Sequence, residues 1–147
     1  MYSGLLHLHN TLRWVILILL LVVIVQAITK KEGIRKSSLW LLIAGHITLL
    51  LGLYQYFTGG SGYQDFVNRS FAEVMKDKIS RFWAVEHISA MLIAIVLITI
   101  ARKSAKNLVY KKAAIIYVIA LLLILAAVPW PFREGIGVGR AWFPGMG

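Results

Sequence analysis

The chain has 147 residues, 59% of them hydrophobic and only 15% charged, with a mean hydropathy of +0.76. That balance excludes an ordinary soluble domain and specifies a membrane protein. The formal net charge of +10 flanks apolar runs without aromatic interleaving, which argues against a nucleic-acid stripe. Cysteine is absent, so disulfides, thiolate metal sites, iron–sulfur clusters and thioether-linked haem are excluded, and any ligand chemistry falls to His, Met or oxygen donors.

Four stretches, 12–28, 39–57, 82–100 and 113–128, can each cross a hydrocarbon core about 30 Å thick, which takes about 20 helical residues. They leave little chain over, so one domain covers residues 1–147. The first run follows no basic segment and leads into AITKKEG rather than a small-residue cleavage site; it reads as a retained span, not a signal peptide. TKKEGIRKSS after span 1 holds four Lys/Arg against one Glu, and ARKSAKNLVYKK after span 3 holds five and no acid. TGGSGYQDFVNRSFAEVMKDKIS, between spans 2 and 3, has three basic and three acidic residues. The positive-inside rule then places the two basic loops in the cytoplasm and both termini outside. Short loops force antiparallel neighbours, so the expected fold is an all-α, four-transmembrane-helix up-down bundle.

In the long second loop, TGGSG marks a turn, after which Phe66, Val67, Phe71, Val74, Met75 and Ile79 recur among charged residues at near-helical spacing. The pattern predicts an amphipathic helix, lying on the outer membrane surface or packed as a lid on the bundle mouth. The tail PWPFREGIGVGRAWFPGMG holds all three prolines of the chain and cannot continue a helix. Its aromatic and cationic side chains read as interfacial anchors, with Arg133 and Arg140 as alternative anion ligands.

Ionisable residues inside spans are costly and by default mark function. Here they are His7, His9 and Arg13 at the start of span 1, His46 in span 2, and Glu86 with His87 in span 3; all four histidines lie in or at the mouth of spans. Each could instead be a hydrogen-bonding residue between helices. Depth discriminates among them. At 1.5 Å per residue His87 lies roughly 8 Å, and His46 roughly 16 Å, below the outer edge, while His9 lies near that edge, or about one turn in if the first helix starts at Ser3 as its N-cap. His9 and His87 are therefore the better matched pair. In an up-down bundle their helices are diagonal, roughly 14 Å apart, too far for two imidazoles to share a small ion directly. A haem iron ligated from both faces fits, because each Cα then stands about 6 Å from the metal. Arg13, four residues after His9, is placed to pair with a haem propionate, with Glu86 or with lipid phosphate, or simply to snorkel. Glu86 points about 100° away from His87 and is a partner for Arg13 or Arg81, or a protonatable group. Should Asn10 be the helix N-cap, His7 and His9 would precede the helix and could hold a surface Zn or Cu ion with a third donor.

HLHNTLRW, GHITLLLGLYQYF and RFWAVEHISAML resemble the pattern of small bacterial four-span membrane proteins labelled cytochrome b-like, over nearly the whole chain. The resemblance implies haem b and electron transfer in the inner membrane, with His9, His46 and His87 inheriting candidate ligand roles. The leading expectation is thus a haem-b protein passing electrons between membrane quinol and a partner, His46 and Glu86 handling quinol protons. Two others stand beside it: a non-catalytic accessory subunit or assembly factor of a larger membrane complex, respiratory or other, and a small His-lined metal- or proton-handling protein. Against the last, broken spans and inverted repeats are not evident in the sequence.

Overall fold

The computed structural model describes residues 2–132; the expectations for Arg133 and Arg140 fall outside that range. Among the described residues there are helices and turns and no strand: α1 (Tyr2–Ile28), α2 (Ile34–Thr58), α3 (Tyr63–Asn68), α4 (Phe71–Lys76), α5 (Lys78–Arg81), a π-helical turn (Phe82–Glu86), α6 (His87–Lys106) and α7 (Tyr110–Ala127). Four helices among the described residues are long and apolar enough to cross a membrane, and the chain is a multi-pass membrane protein. Its outward surface agrees: Ile18, Leu21, Val25, Leu50, Val96, Ile119 and Leu122 are all more than a third exposed, a distribution that lipid tolerates and water does not.

The principal packing runs in a ring, α1 on α2, α2 on α6, α6 on α7 and α7 on α1, which leaves α1 opposite α6. With little hydrophobic drive between helices in lipid, close approach depends on small side chains. Ala94, Ala101 and Ala105 of α6 and Ala113, Ala120 and Ala127 of α7 are buried, and these two helices pack on one another. On α2, Gly45 allows Ile95 of α6 so close that a Cβ would sit 3.0 Å from its Cδ1.

The two basic turns share one construction. Lys31 N–H donates to Gln26 O and Val109 N–H to Ser104 O, both at 2.8 Å. Such reversed bonds require a left-handed residue, usually glycine, just before; here Lys30 and Leu108 take that place, at φ 55° and 58°. Arg35 Nε donates to Lys106 O at 3.0 Å, which satisfies a terminal carbonyl of α6 and ties the start of α2 to it.

The structure departs from expectation twice. α1 begins at Tyr2, ahead of the apolar run, so Asn10 lies inside the helix and is not its cap. With 27 residues α1 is about 40 Å long, longer than the hydrocarbon core is thick. Second, the expected amphipathic helix of the second loop is three short ones. Ser70 Oγ accepts the Glu73 N–H at 3.2 Å while Glu73 Oε2 accepts the Ser70 N–H at 3.3 Å, a reciprocal cap that starts a new helix. Asp77 Oδ1 then accepts the Ile79 N–H at 3.1 Å and starts another.

Candidate functional site

One end of the bundle gathers the start of α1, the end of α2, the π-helical turn with the start of α6, and the end of α7. His9 is half-buried on α1. Its ring lies against α2 at Gly52, where a Cβ would stand 3.3 Å from His9 Nε2. The glycine is the cradle that lets the imidazole sit between α1 and α2. His9 is also within electrostatic reach of His87 and of Arg13.

His87 is the first residue of α6, and its N–H closes the π-helical turn onto Phe82 O. The extra residue in that turn rotates His87 relative to a regular helix, and such turns recur where a side chain must be re-aimed. The turn is held from α2 by the Tyr56 hydroxyl, which donates to Ala84 O at 2.9 Å. The His87 ring is in turn held from α7, its Nδ1–H donating to Ala127 O at 2.9 Å. A carbonyl can only accept, so Nδ1 carries a proton in this bond. That is how a metal-binding histidine is usually oriented. The rings of Phe82 and Trp83 stand 5.6 and 5.7 Å from it.

Arg13 is 9% exposed, and its guanidinium lies 5.2 Å from the Trp14 ring centroid and 5.4 Å from that of Trp130. The two indoles are themselves 6.0 Å apart, so the segment after α7 folds back to clamp the cation, an arrangement that stabilises a partly desolvated charge. Trp130 Nε1–H donates to Leu125 O at 2.9 Å, which fixes the indole. Glu86 is exposed and pairs with Arg81 at 2.7 Å, so of its two expected basic partners it takes the neighbour and not Arg13.

His46 is not brought to this group. It is exposed on α2, its Nδ1–H donating to Leu42 O of its own helix at 2.9 Å. His7 is exposed as well. Because α1 already includes both residues, the rings of His7 and His9 diverge by about 200°, and the surface Zn or Cu site expected from an extended HLH segment does not form. Among the described residues no three of His, Asp and Glu converge as an ion-binding set. What the sequence did not reveal are the backbone parts, the Ala127 carbonyl and the π-helical turn, and the supporting roles of Gly52, Tyr56 and Trp130.

Beside the site, α3 to α5 are tied by Arg69. Its guanidinium pairs with Asp77 at 3.1 Å and Asp65 at 3.4 Å and donates to the Ser80 hydroxyl, which itself donates to Asp77 at 3.0 Å. The hydrogen bonds from Ser80 and Arg69 hold the Asp77 carboxyl below its ordinary value of 3.8.

Compared with known proteins, the chain matches no family model, no curated sequence and no solved structure.

Proposed function

We propose that this chain is a haem-binding membrane protein in electron transfer, in which His9 and His87 would hold the haem iron. The observation that carries the reading is the anchoring of His87 by the Ala127 carbonyl, opposite a second imidazole seated on the bare backbone of Gly52. The donor set fits: two imidazoles from opposite helices at one end, one anchored through Nδ1, and a cation clamped beside them that suits a propionate. Without cysteine the haem is held non-covalently, as haem b, and it would supply one-electron redox chemistry. His9 and His87 would hold it, Arg13 would offset its negative charge, and the aromatic rings of Phe82, Trp83 and Trp130 would keep water from it.

The finer topology belongs to the same proposal: an up-down bundle in a bacterial inner membrane, basic turns inside and termini in the periplasm, with membrane quinol and a membrane or periplasmic partner as donor and acceptor. The alternation of basic and neutral loops supports that orientation.

The visible spectrum of the purified full chain tests the reading. A Soret band is expected that shifts or disappears in His87→Ala and in His9→Ala; a colourless protein that stays colourless on adding hemin overturns it. A second reading, a non-catalytic subunit of a larger complex, is favoured by His46, whose imidazole is exposed in the middle of a span with one nitrogen bonded to Leu42 O of its own helix and the other open to a polar partner on a neighbouring protein. It predicts that His46→Leu leaves the isolated chain folded but abolishes co-purification of a partner.

A further inference from the structure

The segment between α2 and α6 carries apolar side chains that the bundle does not use. α3 buries none of its residues and α4 only Val74, whereas a lid on the bundle mouth would turn its apolar face down onto the helices. Val67 is instead 58% exposed and Phe71 68%. Apolar side chains left out in numbers mark a contact surface.

The rotation of α3 has a cause in the sequence. Asp65 Oδ2 accepts the Gly62 N–H at 2.9 Å, and Asp65 Oδ1 pairs with Arg69, which also holds Asp77. On a helix, the residues two positions to either side of Asp65 point about 200° away from it. Fixing the carboxylate on the Arg69 side therefore sends Tyr63 and Val67 together to the opposite side.

That side continues the lipid-facing surface of α2. Leu50, Tyr54 and Phe57 are exposed along α2, and the Phe57 ring lies 5.4 Å from that of Tyr63. Phe71 joins the same surface through Phe66, on whose ring it stacks at 6.0 Å; Phe66 follows Tyr63 by three positions and so neighbours it on α3. Depth places the junction. Leu39 is the first apolar residue after the basic and serine-containing start of the second span, and from there to Phe57 the helix rises about 27 Å, close to the full thickness of a hydrocarbon core of about 30 Å. Phe57 thus stands at the far edge of the core. Tyr63, in contact with it, lies where head groups meet acyl chains, the level at which tyrosine collects.

We propose that the apolar face of α3 and α4, made by Tyr63, Val67 and Phe71, inserts into the lipid leaflet at the histidine end of the bundle and anchors the segment there. The partner is the lipid itself. Tyr63 keeps its hydroxyl at the head groups while Val67 and Phe71 reach the upper acyl chains, and the clasp of Asp65, Arg69 and Asp77 faces away from them.

The test exploits the absence of cysteine, since one introduced thiol takes a nitroxide label at one place only. Full-length Val67→Cys and Phe71→Cys, each with the other apolar residue intact, are labelled and reconstituted in phosphatidylcholine vesicles. Paramagnetic resonance compares collisions with oxygen, which concentrates in lipid, against collisions with a water-soluble nickel chelate. Leu50→Cys supplies the lipid reference. Asn68→Cys supplies the water reference and a check that the label does not itself drive insertion, because Asn68 is exposed and lies on the Asp65 side of α3, three positions along. Labels at 67 and 71 should favour oxygen over the chelate severalfold more than the label at 68, approaching the value at 50. Equal chelate access at 67, 68 and 71 overturns the proposal, because the face then meets water. Shielding of 67 and 71 from both reagents overturns it as well, because protein then covers the face.

Discussion

Gly52 offers a direct measure of how closely His9 is held. A Cβ built there stands 3.3 Å from His9 Nε2 and 3.7 Å from Cδ2, whereas comfortable heavy-atom contacts begin near 3.5 Å. The overlap is a few tenths of an ångström, and the imidazole must rotate to relieve it. An off-rotamer side chain costs about 0.5–1.5 kcal/mol, while Gly→Ala within a helix gains up to about 1 kcal/mol. Gly52→Ala should therefore be nearly neutral in stability. Gly52→Val is different, because its γ-carbons reach about 1.5 Å further into the space of the ring. Overpacking of that kind destabilises by about 1–3 kcal/mol, and His9 is forced off the α1–α2 seam.

The measurement pairs thermal unfolding of the apoprotein in detergent with titration of hemin, followed by absorbance. Gly4 supplies the control, since a Cβ there meets nothing within 4 Å; Gly4→Ala reports helix propensity alone. The expected order of stability is Gly4→Ala, then Gly52→Ala near wild type, then Gly52→Val well below, with hemin affinity falling sharply only in the last. If Gly52→Val matched Gly52→Ala in both melting and hemin binding, the placement of His9 against Gly52 would be refuted.

Three further perturbations follow from the geometry. Tyr56→Phe removes the donor to Ala84 O and should lower stability by about 1–2 kcal/mol, with faster hydrogen exchange at the amides of 82–88; unchanged exchange there would mean the π-helical turn does not need the hydroxyl. Lys30→Gly relieves a left-handed residue at φ 55° and should stabilise by about 1 kcal/mol, a rise in thermal midpoint; a drop would contradict the reversed-bond turn. Because the Asp77 carboxyl is held below its ordinary 3.8, its ties to Ser80 and Arg69 stabilise α3–α5 fully above that value and are lost as pH falls through the depressed one. Proteolysis of segment 63–81 should accelerate in acid beyond that point, and Asp77→Asn should already be fast at neutral pH; a rate in Asp77→Asn equal to wild type would remove Asp77 from the clasp.

The sequence made some of this legible through simple periodicities and left the rest hidden for identifiable reasons. Hydropathy located the spans because apolar length is what a bilayer demands. It set the start of the first at Leu12, however, since HLHN scores as polar, while the backbone needs no apolar side chain to be helical and α1 runs from Tyr2. The same misjudged start kept open the metal-binding reading of His7 with His9, which ends once both belong to one helix. The splitting of the second loop was written in the chain as S70-x-x-E73 and Asp77, capping signals that outrank a weak amphipathic period over so few residues.

The histidine pairing rested on counting rise per residue from two span ends, and the two imidazoles lie within electrostatic reach. That counting works in depth but carries no information about rotation. The π-helical turn shifts every residue after Phe82 around its axis, so no helical wheel drawn from the sequence could aim His87 at Ala127 O. The bond it makes there has a further consequence. Ala127 closes α7 just before the chain turns at Val128 and brings Trp130 over Arg13. The residue that anchors the His87 ring and the one that roofs the Arg13 cation are thus three positions apart on one short segment. Loosening it, for instance by Trp130→Ala, should disturb the cation clamp and the anchor of His87 together, whereas His46→Ala on the far face of α2 should disturb neither. Infrared or NMR reporting on the His87 ring reads the coupling, and a His87 signal unmoved by Trp130→Ala would show that the end of α7 holds the imidazole without help from its indole.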